Sequence, residues 1–197
     1  MARRVRNIQH FAFRDVLANG LLAWVLLALL FMAMVKVAAT EEVERNLNVN
    51  DALVFQIRWP DGSRSDVDLW VKGPRGRPVG FSNKSGADLN LLRDDLGSAG
   101  DLTNQNWEEA RSRGLAPGEW QATVHLWNPN SHPLPLAVEA TVSIVQGKDV
   151  TEVWSGTVEL SRDNEERTIV RFRLDDTGRV VPGSVNRLDA RLWEAGN

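Results

Sequence analysis

The chain has 197 residues, of which 43% are hydrophobic and 25% are charged, and its formal net charge is −3. This composition is that of a folded protein, and the length suits one domain with an appendage. The absence of cysteine excludes disulfides, thiol catalysis and thiolate metal sites. The acidic balance predicts that nucleic acid is not a partner, because a negative domain repels phosphate.

The charges are distributed unevenly along the chain. Residues 1–15 carry four Arg and one Asp, whereas residues 16–35 carry no charged side chain. Twenty residues in a helix extend about 30 Å, the thickness of a bilayer's hydrocarbon core. We therefore expect a basic cytoplasmic arm over 1–15, a transmembrane helix over 16–37 in the bacterial inner membrane, and a linker over 38–51. The remainder is then periplasmic or extracellular. A cleaved signal peptide is the alternative.

Asp15 lies immediately before this apolar run. An ionisable side chain at the edge of a bilayer is costly, and it is a functional hypothesis by default. In the alternative interpretation, Asp15 pairs with Arg14 or interacts favourably with the positive end of the helix dipole.

A short arm, an Asp and a Leu/Ala/Met-rich helix together resemble the MotB, ExbD and TolR class of single-span subunits in proton-driven motors. The resemblance implies that Asp15 carries the proton and that Asn19 and Gly20 are candidates for lining the pore. It also implies a multi-span MotA/TolQ/ExbB-like membrane partner, and a homodimer of this chain within a larger complex. In such a stator subunit, the external domain anchors or transmits force.

From residue 52 onward, short runs of alternating apolar residues are separated by turn residues, which predicts an all-β domain. The predicted strands are Ala52–Trp59, Asp66–Lys72, Val79–Asn83, Glu119–Asn128, Leu136–Gln146, Val150–Leu160 and Arg167–Leu174. We expect one antiparallel β-sandwich over 52–176, of the jelly-roll or immunoglobulin-like type, and a C-terminal tail over 177–197.

Between Leu89 and Pro117 the alternation fails. We expect either a long loop or a loop that carries one or two helical turns at Asn106–Arg113, since loops of this length are often functional or contain a short helix.

Four acidic residues lie in or near the predicted edge of the sandwich. Asp66 and Asp68 alternate with apolar residues of one strand, and Asp94 and Asp95 fall in the predicted loop. Oxygen-rich clusters of this kind suit Ca²⁺, which accepts six to eight oxygen ligands. In the alternative interpretation, these acids are solvated or paired with neighbouring basic side chains. No other cofactor is expected.

A second resemblance covers about residues 52–160. It is carried by Asp66-Val67-Asp68-Leu69-Trp70-Val71, Gly73-Pro74-Arg75-Gly76, Phe81-Ser82-Asn83-Lys84, Leu92-Arg93-Asp94-Asp95 and Ala116-Pro117-Gly118-Glu119-Trp120. These segments are similar to the pattern of YfaP-like extracytoplasmic β-sandwich domains. The resemblance implies a fold and a compartment rather than an activity.

Two tryptophans, Trp70 and Trp127, fall on the polar phase of their predicted strands. Exposed aromatic side chains often mark contacts with sugars or proteins, so both are candidates for a binding surface. Packing beneath a loop is the alternative.

No catalytic motif is present, because the sequence contains no G-x-S-x-G, no H-E-x-x-H and no phosphate-binding loop. We expect that the protein is not an enzyme. Two functional hypotheses follow: a subunit of a proton-driven motor, or a passively anchored extracytoplasmic module that binds a glycan, Ca²⁺ or a protein partner.

Overall fold

The computed structural model describes residues 17–32, 52–96 and 105–193. The chain divides into two compact units, Met1–Asn48 and Val49–Asn197. In the first unit, residues 17–32 form a helix, α1.

The predicted transmembrane helix over 16–37 is wrong for the part of the chain that the structure describes. No helix there is both long enough and apolar enough to cross a membrane. A helix needs about 20 predominantly apolar residues to cross a hydrocarbon core of about 30 Å.

The described residues of the second unit form eight strands: β1 (Ala52–Arg58), β2 (Asp66–Lys72), β3 (Leu89–Arg93), β4 (Trp107–Ser112), β5 (Gly118–Asn128), β6 (Leu136–Gln146), β7 (Asp149–Leu160) and β8 (Glu165–Leu174). One sheet has the order β3-β4-β1-β6-β7 and the other has the order β2-β5-β8. All the strand pairs are antiparallel. The prediction of a mainly β, antiparallel two-sheet domain is confirmed.

The core lies between the two sheets. Apolar residues that alternate along each strand point inward, as a half-buried strand requires. On β1, Phe55 packs against Trp120 of β5 and Phe172 of β8, with ring centroids 6.1 and 6.5 Å away. All three aromatic side chains are buried. This contact between strands of both sheets fixes how the sheets face each other.

The segment between Leu89 and Pro117 is not a loop with helical turns, because β3 and β4 lie within it. The alternation of β4 is polar: Glu108, Ala110 and Ser112 point inward and are buried. A strand whose inward face carries a carboxylate, a methyl group and a hydroxyl has no visible apolar period. For this reason, the pattern of apolar residues did not predict β4.

The residues of the predicted tail cover the outer face of the three-stranded sheet. Residues 186–193, here called the C-terminal segment, begin at a bridge between Asn186 and Arg171 of β8. The backbone N–H of Ala190 donates to Thr168 Oγ1 at 2.8 Å, and that of Leu192 donates to Glu166 Oε1 at 2.7 Å. Beneath this segment, Thr123 and His125 of β5 are fully buried.

Candidate metal centre

The first acidic residue of the site is Asp68 on β2. Val67 and Leu69 are buried in the core, and the alternation of the strand places Asp68 on the opposite face. There it lies opposite His125 of β5 in the register of the sheet. Asp68 is nevertheless only 4% exposed, so its carboxylate depends on partners from the protein.

Glu108 approaches the same place from β4 of the other sheet. Its side chain has no exposed surface. Oε2 accepts a hydrogen bond from the backbone N–H of Leu69 at 2.7 Å, and Oε1 accepts one from that of Asp95 at 3.1 Å. Since β2 is an edge strand of its sheet, this carboxylate satisfies an edge N–H group and ties the two sheets together.

Asp94 completes the group from the segment that follows β3. Its Oδ2 lies 2.8 Å from Nζ of Lys84. One carboxylate oxygen from each of Asp68, Asp94 and Glu108 lies within 4.8 Å of the others. These three residues, here called the acidic triad, are spaced closely enough to hold one metal ion.

Burial and mutual repulsion make these carboxylates reluctant to ionise. Burial, followed by the charge of Asp68, raises the pKa of Glu108 well above its usual value. Burial also raises the pKa of Asp68, against the opposing effect of His125. The pKa of neighbouring Asp66 rises to about 6, because of burial and then the charges of Asp68 and Asp94. A cation at this point would relieve all three.

The fixed charges around the triad do not balance. Three acids have a basic partner: Asp68 lies 3.2 Å from His125, Asp94 lies beside Lys84, and Asp95 lies 3.4 Å from Arg93. Two more, Asp66 and Glu108, have no ion pair among the residues that the structure describes. When both are ionised, these two carboxylates leave an excess of two negative charges, which one divalent ion would neutralise.

His125 is held between two oxygen acceptors. Nδ1 lies 3.2 Å from Asp68 Oδ2, and Nε2 lies 2.8 Å from Asn164 Oδ1. Burial opposes a charge on the ring, but the hydrogen bonds to Asp68 and Asn164 outweigh it and raise the pKa of His125. The ring also stacks on Trp193 of the C-terminal segment, with centroids 4.8 Å apart. His125 is thus a fixed support for Asp68.

The structure brings together only part of the predicted acidic cluster. Of the four predicted residues, Asp68 and Asp94 belong to the triad and Asp66 lies next to it on β2. Asp95 is turned toward Arg93 and the backbone N–H of Trp107. Glu108, the most buried ligand candidate, was missed because its strand was not predicted.

The two candidate tryptophans have different surroundings. Trp70 is fully buried, so its predicted place on a binding surface is wrong. The turn around Gly80 covers it so closely that a Cβ at Gly80 would collide with its ring, and Phe81 packs edge-on at 5.6 Å. Trp127 is 49% exposed and lies 6.1 Å from Phe81. For Trp70, the structure therefore agrees with the alternative interpretation, packing beneath a loop.

The candidate residues of the N-terminal region lie apart from this site in the chain. Asn19 and Gly20 are in α1, and Asp15 lies outside the described residues. The predicted proton carrier, Asp15, and the predicted cytoplasmic arm over 1–15 therefore lie outside the part of the chain that the structure describes.

No family model matches the chain, and no curated protein matches it. A solved domain of unknown function, DUF4425, from Bacteroides vulgatus is similar in structure with a TM-score of 0.33 and 12% identity, over 64% of this chain and 97% of that one. A DUF4425 family protein from Bacteroides ovatus has a TM-score of 0.29 and 12% identity, over 62% of this chain and 93% of that one. None of these comparisons supports a motor subunit or a proton channel.

Proposed function

We propose that the β-sandwich is a non-catalytic binding module whose acidic triad takes up Ca²⁺. The observation that carries this proposal is the convergence of Asp68, Asp94 and Glu108, from three separate elements, within 4.8 Å. Glu108 in the triad and Asp66 beside it have no ion pair among the described residues, and once ionised they would favour a divalent ion over a monovalent one.

Calcium fits this donor set better than the other common divalent ions. The ligands are all carboxylate oxygens, which hard cations prefer, whereas zinc sites are usually built from His and Cys. Calcium accepts irregular geometry and completes its shell with water and backbone carbonyls, but Mg²⁺ demands a near-ideal octahedron. Three carboxylates on two sheets and a loop provide a partial and irregular shell.

The one serine–histidine contact of the described residues supports a non-catalytic role. Ser63 Oγ lies 3.1 Å from Nδ1 of His132. A serine nucleophile needs a histidine that is oriented by a third group, usually a carboxylate. Within the described residues no carboxylate contacts His132, so this pair lacks the orienting partner.

The proposal is tested by calcium titration of the full chain. With Ca²⁺ at about 100 times its dissociation constant, the free energy of unfolding rises by about 2.7 kcal/mol, which corresponds to an increase in Tm of about 5–10 °C. Asp94→Asn and Glu108→Gln should each abolish the increase. Glu109→Gln is the matched control, because it makes the same charge change on the adjacent residue of β4 and should keep the increase. An unchanged wild-type Tm, or a full increase in Asp94→Asn, would overturn the proposal.

A further inference from the structure

A second feature of the sandwich is a groove on the outer face of the five-stranded sheet. One cavity of about 390 Å³ includes Gln56, Trp107 and Thr141 in its lining, and another of about 330 Å³ includes Thr157. Both are also lined by Arg58 and Glu139, so they form one continuous depression, here called the outer groove. It lies on the opposite side of the sheet from the core.

The register of the strands explains why these side chains form a row. Arg58 of β1 lies opposite Trp107 of β4 on one side and Glu139 of β6 on the other. Glu139 in turn lies opposite Thr157 of β7. The row crosses four strands, which at a spacing of about 4.8 Å gives a length of about 14 Å. The groove is therefore long enough for a short chain molecule.

One aromatic ring in this row is held in a fixed position. The guanidinium carbon of Arg93 lies 4.5 Å from the centroid of the Trp107 ring, and Arg93 Nε donates a hydrogen bond to the carbonyl oxygen of Trp107 at 3.0 Å. Arg93 covers one face of this ring, so a ligand in the groove would use the other face, which would bind without first losing rotational freedom.

The remaining lining groups are polar and of mixed character. They are the amides of Gln56 and Gln105, the guanidinium of Arg58, the carboxylate of Glu139 and the hydroxyl of Thr141. Such groups both donate and accept hydrogen bonds. An apolar ligand would displace water from these groups without replacing its hydrogen bonds, and a polyanion would meet Glu139 as well as Arg58.

We propose that the outer groove binds a short neutral oligosaccharide, with a sugar ring on Trp107 and hydroxyl groups on Arg58, Glu139 and Gln56. A sugar presents an apolar C–H face and a rim of hydroxyls, and this combination matches one fixed indole among mixed donors and acceptors. This inference rests on the proposed role as a binding module and supplies its ligand class. It does not depend on the acidic triad, which faces a different part of the fold.

The test uses the full chain on an array of neutral and acidic oligosaccharides, followed by calorimetric titration of the bound neutral glycan that gives the strongest signal. Trp107→Ala should weaken binding about tenfold or more, since stacking on an aromatic ring is worth about that factor. Leu188→Ala is the control, because it removes an exposed apolar side chain from the C-terminal segment, which covers the other sheet, and should leave affinity unchanged. Glu139→Ala should also weaken binding. Because Glu139 is exposed, this result does not depend on whether Trp107→Ala affects folding.

Three results would overturn the inference: no neutral glycan binds the wild-type chain, affinity is unchanged in both Trp107→Ala and Glu139→Ala, or Leu188→Ala loses binding as much as Trp107→Ala. The increase in Tm caused by Ca²⁺ is measured in parallel on each variant. If that increase is present while no glycan binds, the groove inference fails and the calcium proposal stands. If a neutral glycan binds while Ca²⁺ leaves Tm unchanged, the calcium proposal fails and the groove inference stands.

Discussion

Glu108 is a carboxylate that has no exposed surface and whose hydrogen bonds come from two backbone N–H groups. Leaving a buried donor unsatisfied costs about 1–3 kcal/mol, so this residue stabilises the contact between the sheets even before a metal ion is considered. The two roles are compatible, because each carboxylate oxygen has a second lone pair for a cation. Because Glu108→Gln would disturb the contact between the sheets as well as the metal site, Asp94→Asn is the cleaner test of metal binding.

The acidic site could be predicted only in part, and the reason is visible residue by residue. Asp68 was identified because strand alternation alone separates it from Val67 and Leu69. Glu108 is 39 positions from its partner Leu69, and no local pattern reports a contact at that separation. For Trp70, strand alternation predicts an exposed side chain, but a loop buries it.

Asp66 should make the stability of the metal-free protein depend on pH. Burial and the charge of Asp68 raise its pKa from 3.8 to about 6, so between these values the folded chain holds a proton that the unfolded chain has released. The free energy of unfolding therefore falls as pH rises from about 4 to about 6. The penalty is absent below pH 3.8 and complete above about pH 6.

Urea unfolding in the presence of a chelator, repeated from pH 4 to pH 7, measures this dependence. Asp66→Asn should reduce the fall, because the amide does not titrate. An equal fall in Asp66→Asn and in the wild-type chain would show that Asp66 does not contribute.

At the scale of elements, the sequence predicts six of the eight described strands, and β3 and β4 are the two that it misses. β1, β2, β5, β6, β7 and β8 each correspond to a predicted run. β4 has a polar inward face, and β3 is only five residues long. β4 carries Glu108 and β3 leads into Asp94. The two strands that the sequence did not predict therefore supply two of the three residues of the acidic triad.

The C-terminal segment should contribute measurably to stability through its buried leucine. Leu192 is 3% exposed and Leu188 is 66% exposed. Leu192→Ala removes buried methyl groups and should cost about 2–5 kcal/mol of unfolding free energy, whereas Leu188→Ala should change it by less than about 0.5 kcal/mol. Chemical denaturation of the two variants makes the comparison. Equal effects would mean that the segment does not pack on the sheet in solution.

At the scale of the whole molecule, the described part of Val49–Asn197 is a two-sheet sandwich with two separate polar features. The acidic triad lies at the edge of β2, and the outer groove lies on the far face of the five-stranded sheet. Because the features use different residues, metal uptake and ligand binding are separable by mutation. The alternation of apolar residues predicted the sandwich. The predicted transmembrane helix is wrong for the described residues, because none of their helices is long and apolar enough to cross a membrane.

The position of a bound calcium ion tests the account most directly. Crystals of the full chain grown with calcium chloride would be examined by long-wavelength anomalous diffraction. We predict one peak about 2.3–2.6 Å from a carboxylate oxygen of each of Asp68, Asp94 and Glu108. A calcium-saturated crystal with no anomalous peak between these three residues would contradict the account.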